Sequence, residues 1–308
     1  MLLFPAVPEK SAMQRALLLM FASAFFFGLM AFAAKRASES LSGPQVAMIR
    51  FAVGLIPVVA VSRHRRAAMQ FNRIDLLLYR GFFGGIAVLL YFIAIEHASV
   101  GVATLLNYTA PIFSGMFSVL FIGEEISPKV LIPLPIALTG IVLVVHAHAA
   151  PGDLLGFGRW ELIGLGSGIC SGVAVTAMRA ARRGENSWSV YASFCSLGLL
   201  TTLPLAIISW KTPHGVQWLW LAATSLCAIA AQLLLTFTLR WVDAMTVGVI
   251  SQLAVVVSMA LGAVFLHDRI TPMAAIGSML TIAGVIGVTY VTSLSKRHVA
   301  AVEVAPES

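Results

Sequence analysis

The 308-residue sequence is 59% apolar and only 11% charged, with a mean hydropathy of +0.93. A soluble domain carries roughly 25% charged residues to keep its surface wet, so this composition excludes a soluble globular body and leaves lipid as the solvent. The net charge of +7 invites nucleic-acid binding, but the basic residues sit in short gaps between apolar runs, as the positive-inside rule describes, and no nucleic-acid partner is expected.

Crossing the hydrocarbon core takes about 20 mainly apolar residues, and such runs follow one another along the whole chain. Residues 1–14 read as a cytoplasmic tail. The first run, 15–34, has Lys10 before it, Arg15 at its start and Ala31-Phe32-Ala33 near its end, which resembles a secretion signal. It is too long for a signal core and its pattern recurs later, so it reads as a retained span. The runs 44–62, 75–95, 100–122 and 128–146 complete a first unit, 15–146. An external linker, 147–158, leads to a second unit, 159–293, with runs 160–179, 188–209, 217–239, 245–266 and 272–293. Residues 294–308 form a second cytoplasmic tail, and no gap is large enough for a soluble domain.

Lysine and arginine set the direction. Thirteen fall on the side of the termini (Lys10, Arg15, Arg63, Arg65, Arg66, Arg73, Lys129, Arg179, Arg182, Arg183, Arg240, Lys296 and Arg297). Five fall opposite (Lys35, Arg36, Arg159, Lys211 and Arg269), and Arg50 and Arg80 lie within spans. The bias puts both termini in the cytoplasm of a bacterial inner membrane.

The two units match at a constant offset of 144 residues without a gap. Arg15 pairs with Arg159, Gly28 with Gly172, Gly54 with Gly198, Ser114 with Ser258, Phe121 with Phe265, Pro128 with Pro272 and Gly140 with Gly284. Lys35 with Arg179, Glu124 with Asp268 and Ser127 with Thr271 are conservative pairs. With an odd number of spans per unit, the second copy enters the membrane from the opposite face. The predicted fold is an all-α membrane protein of ten transmembrane helices, arranged as two inverted five-helix repeats. Inverted repeats support two shapes of similar energy, open to either side, and so point to transport rather than catalysis.

FFFGLMAFAAKRASESLSGPQVAMIRF, containing Gly28, Lys35, Pro44 and Arg50, resembles the EamA-type branch of the drug/metabolite transporter superfamily. So does FIAIEHASVGVATLLNYTAPIFSGMFSVLFIGEEIS, with Pro111 and Glu124-Glu125. In the second unit Phe194 stands in place of Arg50 and Val255 in place of Pro111, so the family pattern at those points belongs to the first half alone. Bacterial exporters of aromatic and other neutral amino acids are similar in length and layout. The resemblance therefore implies amino-acid export, the repeat implies alternating access through a central cavity between the two units, and the expected working form is a monomer or weak homodimer.

Candidate substrate-path residues come next. Charges within a bilayer are costly and mark function by default, yet every Asp, Glu and His lies near a span end or in a tail. That argues against proton antiport through a buried carboxylate. Arg50 is the exception: it can meet a substrate carboxylate in a bidentate pair, or it can snorkel and tie helices together. Arg80 reads as a snorkelling anchor, which leaves Arg50 as the lone basic lining and disfavours an organic phosphate. Asn107, Tyr108 and Pro111 cluster on the fourth span, where proline frees a carbonyl one turn back. Ser251 and Gln252 are the repeat partners of Asn107 and Tyr108, and Gln232 joins them. Either these residues line a path or they bond helices together. Tyr79, Phe82, Phe83, Tyr91 and Phe92 read as an aromatic path or, more simply, as interface anchors like Trp210, Trp218 and Trp220.

Gly28, Gly84, Gly85, Gly164, Gly168 and Gly172 suit close helix packing. The run GLGSGICSG lacks the strand and lysine of a phosphate loop. Cys170, Cys195 and Cys227 sit in apolar runs without redox or metal spacing, and His146 and His148 have no third ligand nearby. No cofactor, metal or catalytic group is expected. The rival readings are uptake or exchange of another metabolite by the same fold, and an intramembrane enzyme or sensor. An enzyme needs paired catalytic groups at one depth, and a sensor usually carries a soluble domain.

Overall fold

The computed structural model describes residues 10–64, 71–122, 128–147, 158–181, 185–238 and 244–304, and the secondary structure it describes is helical. Glu124, Glu125, His148 and most of the 147–158 linker lie outside the described residues. The first unit contains α1 (Lys10–Ser38), α2 (Gly43–His64), α3 (Ile74–His97), α4 (Val100–Asn107), α5 (Ala110–Ile122) and α6 (Pro133–His146). The second contains α7 (Arg159–Ala181), α8 (Ser187–Ile208), α9 (Val216–Thr238), α10 (Ala244–Ser251), α11 (Leu253–Phe265) and α12 (Pro272–Val304). Ten stretches among them are long and apolar enough to cross a membrane. Large apolar side chains face outward, with Leu120, Ile208 and Met279 exposed by 72%, 81% and 73%, as lipid-facing surfaces require.

Two expectations change at the ends and in the middle of spans. α12 continues as helix to Val304, through most of the segment read as a tail. The fourth and ninth spans are each interrupted midway, into α4 and α5 and into α10 and α11. Pro111 accounts for the first interruption: it has no N–H, so the carbonyl of Asn107, four residues back, loses its helical donor. The backbone tightens there, with Thr109 N–H donating to the Leu106 carbonyl (3.3 Å) and Ile112 N–H to that of Thr109 (2.9 Å). The second interruption has no proline. Gln252 N–H donates to the Val249 carbonyl at 3.1 Å and Val255 N–H to that of Gln252 at 3.0 Å.

The packing repeats with the sequence. Gly28 presses on Val257, and its partner Gly172 presses on Phe113, which is itself the partner of Val257. Gly54 meets Cys195 while Gly198 meets Phe51, and Gly140 meets Thr281 while Gly284 meets Ala137. Each contact maps onto the next when both residues are shifted by one repeat, as a pseudo-two-fold axis in the membrane plane requires. α1 packs along α9 as α3 packs along α7, and α6 packs along α12 across the axis. The symmetry is not perfect, and one departure is large. α3 lies closely along α8, while the equivalent pair, α9 and α2, touches over a shorter stretch.

Gly164, Gly168, Gly84 and Gly85 also stand at helix contacts, against Leu106, Thr109, Phe194 and Gly198 respectively. A side chain at Gly140 would run into the backbone of α12, whereas one at Gly115 would meet open space. Gly140→Leu is therefore expected to destabilise the protein by about 1–3 kcal/mol, and Gly115→Leu to be near neutral. Thermal melting in detergent checks the contrast, and equal effects would refute the close α6–α12 approach.

Candidate functional site

The interruptions of the fourth and ninth spans face one another. Gln252 Nε2 donates to the Tyr108 carbonyl at 3.3 Å, joining two residues 144 positions apart. The pseudo-two-fold axis thus passes between them. A carbonyl released from a helix in lipid is tolerated only where protein or a cavity receives it, and here both are present. Around this point lies a cavity of about 520 Å³, within the range of small-molecule sites. α1, α2, α3, α7, α8 and α9 contribute to its wall together with the two interrupted spans and α12.

Arg50, Tyr91, Asn107, Tyr108, Pro111, Gln232, Ser251 and Gln252 all line this cavity. Tyr79 does not: it is 57% exposed and stacks on Phe83 at 6.2 Å, outside the wall. One further expectation is corrected. Arg80, read as a snorkelling anchor, is buried (8% exposed) and lines the cavity, because the apolar start of α3 turns that face inward against α8. Of the aromatic residues read as a path or as interface anchors, Tyr91 and Phe92 are buried in the wall, whereas Phe82 is exposed, as an anchor would be. Of the tryptophans, Trp210 and Trp218 are exposed. Trp220 packs edge-on to Phe32 (6.0 Å), under the Arg36 guanidinium (5.5 Å).

Several lining groups are also tied to neighbouring helices. Asn107 Oδ1 accepts from Ser167 Oγ (3.2 Å) and Ser171 Oγ (3.1 Å), fastening the first interruption to α7. Tyr91 donates to Thr104 Oγ1 at 2.8 Å, since the threonine proton goes to the Val100 carbonyl at 2.7 Å. Lining and helix bonding, set apart as alternatives by the sequence, coincide at Asn107 and Gln252. Arg50 lies over three rings, with its Cζ 5.1 Å from the centre of Phe51, 5.9 Å from Phe92 and 5.7 Å from Phe194. Arg80 stacks on the same Phe194, at 4.3 Å. Phe194 is the repeat partner of Arg50, so the axis passes here too.

The cavity is placed unevenly along the bundle. Towards the end bearing the chain termini its wall reaches Met178, Leu235 and Val247, each about a turn from the end of its helix. The opposite end is laced shut. Lys35 Nζ donates to the carbonyls of Ile95 (2.9 Å), Glu96 (3.2 Å) and Ala98 (2.8 Å), capping the C-terminus of α3. The Glu96 carboxylate accepts from Gly43 N–H (2.7 Å), and that of Asp268 from Val100 N–H (3.2 Å). Gln45 exchanges two bonds with the Lys211 backbone (2.7 and 3.0 Å), and the Ser209 and Ser42 hydroxyls are 2.8 Å apart. Several of these contacts join the first repeat to the second. Among the described residues no group of histidines, cysteines and carboxylates is arranged to hold a metal, and the three cysteines are free thiols.

Comparison with known proteins agrees with this architecture. The profile of the EamA-like transporter family matches the chain twice, over residues 14–146 and 158–290, and the chain belongs to that family. The pseudopaline exporter CntI of Pseudomonas aeruginosa is 24% identical over 268 residues, covering 87% of this chain and 93% of the relative. Human solute carrier family 35 member G1 is 20% identical over 279 residues, 86% of this chain and 76% of that protein. A solved crystal structure superposes with a TM-score of 0.64 at 20% identity, over 90% of this chain and 97% of its own. The chain is thus a multi-pass membrane transporter rather than an enzyme.

Gln252→Leu keeps the volume and removes the donor to the Tyr108 carbonyl. It is expected to cost about 1–2 kcal/mol, seen as a lower melting temperature in detergent. An unchanged melting temperature would show that the paired interruptions stand without this bond.

Proposed function

We propose that this transporter exports small carboxylate-bearing metabolites, amino acids among them, by alternating access through the cavity between its two repeats. The observation that carries the proposal is the position of the cavity. It sits where the two interrupted spans meet on the pseudo-two-fold axis, and it is sealed at one end of the bundle by bonds that cross between repeats. A site on the axis belongs equally to both halves. Rocking one half against the other then alternates its exposure without rebuilding it.

The uneven packing of α3 on α8 relative to α9 on α2 supports this, since inverted repeats in any one conformation must differ somewhere. The excess of lysine and arginine at the terminal end favours a cytoplasmic location for that end. The cavity then faces the cytoplasm, with its external side closed, which is the state in which an exporter loads. The pseudopaline exporter shares nearly its full length with this chain and favours outward transport of a metabolite. Support for amino acids as such comes from the overall resemblance to amino-acid exporters and from Arg50, which offers a carboxylate a partner in the wall.

The test uses Ser42 and Ser209, whose hydroxyl oxygens are 2.8 Å apart. In a background without native cysteines, S42C/S209C protein is reconstituted into liposomes loaded with labelled phenylalanine or glutamate. Oxidation is expected to cut efflux of the transported label at least tenfold, and reductant to restore it. Undiminished efflux through the locked protein would overturn alternating access at this closure.

A further inference from the structure

Among the described residues, the cavity wall contains two guanidinium groups and no carboxylate. Arg50 and Arg80 both line it, at 6% and 8% exposure. None of the described carboxylates is in the wall, and Glu185, which accepts from the Arg73 N–H beside α8, keeps one buried oxygen without a partner. Glu96 and Asp268 cap backbone N–H groups at the closed end. Asp75 pairs with Arg73 near the terminal end, Glu39 pairs with Arg36, and Glu161 is buried outside the cavity wall. The guanidiniums themselves are under-bonded: Nε and Nη1 of Arg50 and Nε of Arg80 are buried without a hydrogen-bond partner.

The aromatic cage does not balance this arrangement. A cation over a ring recovers only a small part of what an unpaired buried ion costs. Two such ions sharing Phe194 also repel one another. The polar remainder of the wall, including Asn107, Tyr108, Gln232, Ser251 and Gln252, is uncharged and suits the rest of a ligand.

Resting on the transport reading above, we infer that the cargo carries at least two anionic groups, carboxylate or phosphate, held one each by Arg50 and Arg80. A neutral amino acid brings a single carboxylate and an ammonium. The carboxylate satisfies one guanidinium, and the ammonium is left in a field of two positive charges. A cargo with two acidic groups and an apolar or aromatic body satisfies both guanidiniums and lies against the apolar part of the wall, which includes Phe27, Val88 and Phe92. The presence of Arg80 also removes the objection that a single basic residue could not receive an organic phosphate.

The test is binding at equilibrium in detergent, which does not depend on passage across the membrane. Purified protein is titrated at constant ionic strength with citrate, inorganic pyrophosphate or phenylalanine, with melting temperature and calorimetry as readouts. Citrate, pyrophosphate or both, each with more than one acidic group, are expected to bind saturably, and whichever binds identifies the favoured anion. Phenylalanine is expected to bind at least tenfold more weakly. R50Q and R80Q should each weaken the anion about tenfold or more, and R73Q, on an exposed side chain, should leave it unchanged. If R50Q does not fold, R50K keeps the charge and should retain most of the affinity. Saturable binding of neither anion to the wild type, phenylalanine binding as tightly, or R80Q indifferent to citrate and pyrophosphate would each overturn the inference. Anion binding together with unhindered efflux through the S42C/S209C lock would instead fault the transport mechanism and leave the anion site standing.

Discussion

Inside a bilayer a backbone carbonyl released from its helix has no water to turn to, and each unsatisfied group costs several kcal/mol. That constraint organises this protein. Two spans are interrupted halfway, and the interruptions meet on the pseudo-two-fold axis, where the side chain of one bonds the carbonyl of the other. The cavity lies at the same place because the broken backbone needs either protein or a water-accessible space beside it. Transport and backbone satisfaction are thus answered by one arrangement.

The doubling gives the proposed alternating access a structural basis. Close contacts recur under a shift of one repeat, as with Gly28 on Val257 and Gly172 on Phe113. The same glycine surfaces are thereby available to both halves. Small residues at helix contacts let neighbouring backbones slide with little rearrangement of side chains. The polar lacing at the closed end is of another kind. Lys35, Gln45, Asp268 and Ser209 make directional bonds that are either formed or broken, and these suit a closure with two discrete states.

Much of this was legible in the sequence. Apolar run lengths marked the ten spans, and the constant offset disclosed the inverted pair, because both follow from the length needed to cross lipid. The cluster at Asn107, Tyr108 and Pro111 was visible through its proline, and its partners Ser251 and Gln252 through the repeat register. The second interruption was not visible, since Val255 retains its N–H and nothing local marks a break there. Arg80 and Tyr79 were assigned the wrong way round for a related reason. They are neighbours on α3, and depth along a helix does not reveal which face turns inward; only the packing of Gly81 and Gly84 on α8 decides that. Apolar periodicity could not help, because a span surrounded by lipid and by apolar neighbours is apolar all round.

The scaffold is doubled but the chemistry is not. Across the axis from Arg50 stands Phe194, its own repeat partner, and the partner of Arg80 is Thr224. Had both arginines been kept in both copies, four cations would crowd one cavity. Coulomb repulsion at short range in a medium of low dielectric would then hold the halves apart. Replacing one copy of the pair with an aromatic ring and a hydroxyl leaves two guanidiniums on a single half, with a ring of the other half beneath both. The halves then share the cation through its stacking surface, which survives small displacements better than a fixed hydrogen bond would. A carrier that must hold its cargo while its two halves move past each other is served by that kind of contact.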